Sequence, residues 1–406
     1  MMLTDMPRYV LDDAKKAADP YPAYQQLREY GPMCRGGPGQ WVFPRHAEVS
    51  ALLRDRRLGR EYPERYQALS IGEGPANDYL QRIVINRDDE AHARLRRLLI
   101  KSLNPAMVRS LAGPIGASVD RILDPLAQRD EWDLVADLAV PVPMTVMSEL
   151  LDIPAADRDM IARWSTSLAQ AFAVFIPDDK RHEAHEAVAQ LRAYFVDLLR
   201  ERRRRPGGDL LSRMLTAVRD GTEPLTDEEI VDNALFVYYA GFETTTNMIA
   251  TGGNLLVTRP DIQRQLRADP GVMGTAVDEF MRYDAPIHTT SRLVLEPIEI
   301  AGHTLRRGRV VVLLLASANR DASAFADPDR VDLTRSPNPH VSFGGGVHHC
   351  LGAALARIEG TVVFERLMAR FSRVESAGPA RWNPSGGGFR FPYWAFEKIP
   401  VTARPT

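Results

Sequence analysis

Cysteine is almost missing from this chain. Two thiols in 406 residues, Cys34 and Cys350, cannot form a Cys-rich zinc module or a disulfide framework. An excess of either charge is missing too: 51 basic and 53 acidic residues leave a net charge of −2 and a pI near 6.5. Nucleic-acid binding usually shows as a strongly basic domain, so no nucleic-acid partner is expected. No long hydrophobic run occurs. The longest apolar stretch lies near Val310–Ala316, far below the roughly 20 residues that span a bilayer. Met1–Lys16 carries no apolar signal core. These absences predict a cytoplasmic protein without a membrane anchor.

What is present is an ordinary globular composition, 45% apolar and 26% charged, with material for a sizeable core. Length alone suggests two or three domains at about 150 residues each, although one large domain is allowed. No internal repeat and no clear linker appears, which favours one domain over 1–406. Helical spacing marks 91–103, 115–128, 156–173 and 183–204, and the last ends in Arg202–Arg205 before Pro206. Those arginines suit a helix C-terminus. Thr226-Asp-Glu-Glu229 is a capping box that starts a helix of about 30 residues, stopped at Arg259-Pro260. A further helix is expected over Gly274–Tyr283, and another over Leu351–Phe371. Extended stretches are expected at Gln40–Phe43, Arg292–Ile300 and Val310–Ala316, with a turn at Ala301-Gly302. The reading is mainly α with small β-sheets.

Phe343-Gly-Gly-Gly-Val-His-His-Cys-Leu-Gly352 carries the most chemistry. Its glycines permit a tight loop and close approach to a flat ligand. Cys350 stands at a helix start, where free amides stabilise a thiolate. Gly352 leaves room for a large group. The segment resembles the haem-ligand loop FGxGxHxCxG of the cytochrome P-450 monooxygenases, matching every specified position. That resemblance implies haem b with Cys350 as axial thiolate and metal ligand. It also implies Phe343 near the sulfur, His348 on a propionate, and Gly344 and Gly352 in the haem site. A thiolate ligand pushes electron density to the iron and favours O–O cleavage.

Other stations agree in order. Glu279-Phe-Met-Arg282 sets acid and base on one helical face. With Pro328-Asp-Arg330 it is similar to the family's structural charge cluster, implying Glu279, Arg282 and Arg330 behind the haem. His92-Ala-Arg-Leu-Arg96 and Arg292 resemble the propionate-binding residues. Ala240-Gly241-Phe-Glu243-Thr244-Thr245 breaks local helix propensity midway along the long helix. The alternative is a packing notch. The segment is similar to the family's AGxET signature, implying Ala240 and Gly241 against the haem and Glu243 and Thr244 as the acid–alcohol pair for proton delivery. Phe236, Ala240, Ile287 and His288 are candidate substrate contacts, His288 as a polar handle. Cys34 is read as structural.

The implied fold is a single triangular, helix-rich P-450 domain with haem between the long helix and the cysteine loop. The implied activity is hydroxylation or epoxidation of a bulky apolar metabolite, in secondary metabolism, using O2. NAD(P)H acts indirectly, because no flavin or iron–sulfur segment follows residue 406. Electrons then come from a ferredoxin or flavodoxin with its reductase, docking near Arg97, Lys101 and Arg357. A monomer is expected. Two alternatives remain: a peroxide-driven oxygenase, and a non-catalytic haem-binding or scaffold protein.

Overall fold

The computed structural model describes residues 8, 9, 19–172, 176–221, 225–383 and 395–406. Apart from Arg8 and Tyr9, the Met1–Lys16 stretch lies outside the described residues, as does position 173 at the end of one expected helix. The early helices are α1 Tyr21–Tyr30, α2 His46–Leu52, α3 Glu64–Ile71, α4 Pro75–Arg82, α5 Asp89–Ser102, α6 Pro105–Ser110 and α7 Ala112–Leu126. Next come α8 Pro141–Leu150, α9 Arg158–Leu168, α10 Asp178–Arg204 and α11 Leu210–Arg219. The last are α12 Asp227–Thr258, α13 Pro260–Ala268, α14 Met273–Tyr283, α15 Leu315–Ala318 and α16 Ala353–Arg370.

Helix α12 is the axis of the fold. Both bonds of its capping box form: Glu229 N donates to Thr226 Oγ1 and Thr226 N donates to Glu229 Oε2. Its 32 residues span about 48 Å at 1.5 Å per residue. Most of its side chains are buried in the main apolar cluster. Glycine permits close crossings here. A Cβ on Gly252 would meet Phe364 at 2.5 Å, and one on Gly253 would meet Leu134 at 2.7 Å.

The principal sheet has the order β1 (Cys34–Arg35), β2 (Gln40–Phe43), β8 (Val310–Leu314), β5 (Thr289–Val294), β3 (Leu58–Gly59). Only β2 and β8 run parallel. A second sheet joins β4 (Glu131–Asp133), β12 (Pro400–Pro405) and β9 (Phe371–Ser376). Strand β10 (Arg381–Asn383) pairs with β11 (Ala395–Lys398), where the Trp382 and Phe396 rings stack at 3.7 Å.

Three local expectations change. The run Arg292–Ile300 is two strands, β5 and β6 (Ile298–Ile300), because Pro297 supplies no donor and Leu295 N turns to Arg57 O. Ala301 and Gly302, both with positive φ, close a tight hairpin from β6 to β7 (His303–Leu305), a strand the sequence reading missed. The apolar run from Val310 leaves the sheet at Leu314 and becomes the helical turn α15. A short apolar run buried on all sides has no period to distinguish strand from helix. Arg202 stands in the last turn of α10, where a basic residue was expected. It is buried and paired with Asp209 and Asp152.

Candidate active site

One large cavity lies between the middle of α12 and the loop before α16, and most of its lining is apolar. The loop is shaped by glycine. Gly344 and Gly346 both have positive φ, and a Cβ on Gly346 would meet the backbone oxygen of Leu53 at 2.4 Å. Of the three loop glycines only Gly344 lines the cavity, so Gly345 and Gly346 serve the approach to Leu53 rather than a ligand. The turn is closed by Cys350 N donating to Phe343 O at 2.9 Å.

Cys350 opens onto this cavity two residues before the N-cap Gly352 of α16. Burial pushes its thiol up, while amides of Gly352 and Ala353 and the charges of Arg96 and Arg357 pull it down. The helix start thus aims its free amides at the sulfur, as the sequence anticipated. Gly352 also lines the cavity, and a Cβ there would touch only the Cys350 sulfur, at 3.9 Å. Phe343 is buried beneath the Arg357 guanidinium, 4.5 Å from its ring, and Arg357 is itself held by Asp278 at 2.7 Å.

Nitrogen donors gather on one side. His92 on α5 is buried against His348, with ring centroids 4.3 Å apart. Arg96, one turn on, donates to His349 O at 2.8 Å. Arg292 on β5 lines the cavity, and burial followed by the neighbouring Arg60 pushes it down to about 9. Among the described residues no carboxylate ion-pairs with Arg292; its partners are Thr290 Oγ1 and Ser291 O. Thr290 Oγ1 also accepts from Arg60 at 2.8 Å. Burial pushes His348 down to about 4, although Asp88 lies 3.3 Å from its Nε2. Arg60 and Asp88 were invisible to sequence reasoning. Both sit in loop segments without a motif, and only tertiary packing brings them here.

On the opposite wall, Phe236, Ala240, Gly241, Thr244 and Thr245 of α12 line the cavity. Thr244 Oγ1 donates to Ala240 O at 2.7 Å, so the hydroxyl proton is engaged while the oxygen remains available to a further donor. The Gly241 notch is filled. A Cβ there would meet Met147 Sδ at 2.5 Å, so this glycine accommodates α8 as well as bordering the cavity. Glu243 lies off the cavity wall, and burial pushes its carboxyl up to about 7. Ile287 lines the cavity but His288 does not. The His288 ring is buried beside Tyr24 OH, 3.1 Å from Nδ1. Its expected role as a polar handle for substrate is therefore corrected. Cys34 is fully buried, and burial pushes its thiol up to about 12.

The charge cluster also differs from expectation. Glu279 and Arg282 are buried and paired through two bonds of 2.7 and 2.8 Å. Arg330 contributes only its backbone oxygen to Arg282; its own side chain is exposed and turned to Asp332. The third charge is Arg335, whose Nε lies 3.1 Å from Glu279 Oε2. A motif that specifies an arginine cannot tell whether its side chain or its carbonyl is used.

Glu359 on α16 is a further residue the sequence did not reveal. It lines the cavity, burial pushes it up to about 8, and its Oε2 has no hydrogen-bond partner among the described residues. Because its folded pKa is raised, the stability this group contributes is fully present below its unfolded value near 4.5 and is lost as pH rises towards about 8. Glu359→Gln is expected to remove that fall, gaining roughly 3–5 kcal/mol at pH 8 relative to pH 4.5. Urea unfolding of both proteins across this range checks it, and parallel pH profiles would contradict it.

A buried arginine, Arg292, with no carboxylate partner among the described residues, a cavity-facing cysteine under helix amides, and an apolar far wall suit haem, with its two propionates and flat ring. Fold and site define a haem-thiolate class of oxidoreductase. The Cytochrome P450 family model matches residues 58–384. The biotin biosynthesis cytochrome P450 of Bacillus subtilis is 34% identical over 95% of this chain and 96% of its own. The cytochrome P450 monooxygenase PikC of Streptomyces venezuelae is 34% identical over 91% and 88%. Among solved structures, P450BioI in complex with an acyl carrier protein ligated to hexadec-9Z-enoic acid superposes with a TM-score of 0.88. Identity there is 32%, over 97% of this chain and 100% of that one. CalO2 gives 0.89 at 30% identity, covering 97% of both chains. The chain belongs to the cytochrome P450 family and is a monooxygenase of that fold.

Proposed function

We propose that this monooxygenase hydroxylates or epoxidises a bulky apolar metabolite, with electrons passed from NAD(P)H through a separate ferredoxin or flavodoxin and its reductase. The observation that carries this reading is the cavity itself: Cys350 on one wall, Thr244 on the other, and apolar side chains between them. Several relatives with names in biosynthesis, among them a polyketide biosynthesis cytochrome P450 of Bacillus subtilis, support a place in secondary metabolism. No helix among the described residues is long and apolar enough to cross a membrane.

Haem supplies oxygen activation and one-electron redox chemistry when bound. The protein holds and tunes it. Cys350 would supply the thiolate ligand: burial pushes its thiol up, and the Gly352 and Ala353 amides with Arg96 and Arg357 oppose that and favour the anion. His92, Arg96, Arg292 and His348 would hold the two propionates, with Arg60 beside them. Phe236, Val237, Ala240, Ile287 and Leu315 exclude water and bind substrate through its apolar surface. Thr244 Oγ1 holds a water or passes a proton, and Glu243, behind it on the same helix, titrates near neutrality and can reload it.

Electron donors dock on the face where α5 meets the cysteine loop. Ile100 and Val347 are exposed there, and Lys101 stands beside them. Arg97 and Arg357, two of the expected docking charges, are paired with Glu90 and Asp278. The test is a screen of apolar metabolites for a substrate-induced Soret shift, followed by turnover with NAD(P)H, reductase and ferredoxin. Product that depends on the electron donor supports the reading. Product formed only with added hydrogen peroxide favours the peroxide-driven alternative.

A further inference from the structure

We propose that a groove on the outer edge of the principal sheet binds a phosphorylated ligand carrying a planar ring, of the nucleotide class. The groove has a volume of about 740 Å³ and lies between the Gly36–Gly39 loop and the β7–β8 connection. Its walls include Arg8, Arg35, Trp41, His303, Arg306 and Arg309. It shares no residue with the active-site cavity. Strand β8 separates β2 from β5, so the two sites stand on strands about 10 Å apart.

Charge is segregated here in a chain that is nearly neutral. Among the described residues, four arginines line the groove and no carboxylate does. Elsewhere exposed arginines such as Arg57, Arg97 and Arg203 are paired with acids. Among the described residues, none of the four groove arginines makes an ion pair. Moreover, Arg8 and Arg35 face one another across a β-bridge. Like charges set opposite destabilise a pairing, and an anion between them reverses the sign of that interaction.

The loop is built for this approach. Gly39 has φ of 73°, and a Cβ there would lie 3.1 Å from Arg309 Nη1. Glycine thus lets the Arg309 guanidinium lie against the loop, while Gly308, at φ of 80°, turns the chain into β8. The guanidinium fork matches phosphate oxygens in a bidentate geometry that lysine cannot reproduce. Beside the arginines, Trp41 and His303 form one aromatic wall, with centroids 6.1 Å apart and planes 32° apart. A flat heteroaromatic ring can stack there while its phosphates reach the arginines.

Calorimetric titration of the purified haem-loaded protein tests this with ADP, pyrophosphate and adenosine as probes. The variant is Arg306→Gln/Arg309→Gln, which changes only exposed side chains. Saturable ADP binding is expected, at least tenfold tighter than pyrophosphate or adenosine. The double variant is expected to weaken it at least tenfold with an unaltered Soret spectrum. Absence of saturable ADP binding, equal affinity for ADP and pyrophosphate, or unchanged affinity in the double variant would each overturn the proposal. None of these outcomes depends on the monooxygenase assignment.

Discussion

Glu279→Ala is expected to cost about 3–5 kcal/mol of folding stability, because it strands a buried arginine. The whole chain is held by a margin of about 5–15 kcal/mol, so the variant accumulates as unfolded or haem-free protein. Arg282 has no exposure and two bonds to this carboxylate, and Arg335 leans on it from the segment between α15 and α16. Glu279 also accepts from Asp332 N, so the loss spreads into the loop. Arg330→Gln is the informative contrast, since only its backbone oxygen reaches Arg282. It is expected to shift stability by less than about 1 kcal/mol, as surface ion pairs do. Denaturant unfolding of the two variants decides between the charge cluster seen here and the one the motif implied. Equal losses would restore Arg330 to it.

Thr244→Ala is expected to separate electron consumption from product formation. Splitting reduced dioxygen between product and water consumes two protons on the α12 side of the cavity. Thr244 Oγ1 is the hydroxyl of this wall nearest Glu243 in sequence, and its own proton is held by Ala240 O. Alanine removes the oxygen while keeping the helix. Haem binding and the substrate-induced shift then persist, as does NAD(P)H oxidation. Product per NAD(P)H falls and hydrogen peroxide rises, since losing a positioned proton donor costs about 10²–10⁴-fold in its step. Product, peroxide and NAD(P)H measured in parallel check this. Equal coupling in both proteins would make this stretch of α12 a packing device, a role Gly241 already fills against Met147.

The sequence made the cysteine loop, the capped central helix and the Thr244 wall legible because each is local. Glycine spacing, a capping box and a break in helix propensity all act within a few residues. What it hid was assembled from afar. Arg60, Asp88, Arg335 and Glu359 reach the haem side or the charge cluster through loops and helix faces that no periodicity marks. His288 misled for a related reason. A histidine next to a cavity residue reads as a pocket group, yet a one-residue step along the extended chain turns it to the other face, beside Tyr24.

Haem held in this cavity on the Cys350 thiolate has a spectroscopic signature. The most direct measurement is the carbon monoxide difference spectrum of the reduced protein, recorded for the wild type and for Cys350→Ala. The wild type is expected to show the long-wavelength Soret band of thiolate ligation, and Cys350→Ala to lose it along with oxygenation, since water or imidazole cannot supply the same electron push. A wild-type spectrum of the imidazole-ligated type, or a thiolate band that survives in Cys350→Ala, would contradict it.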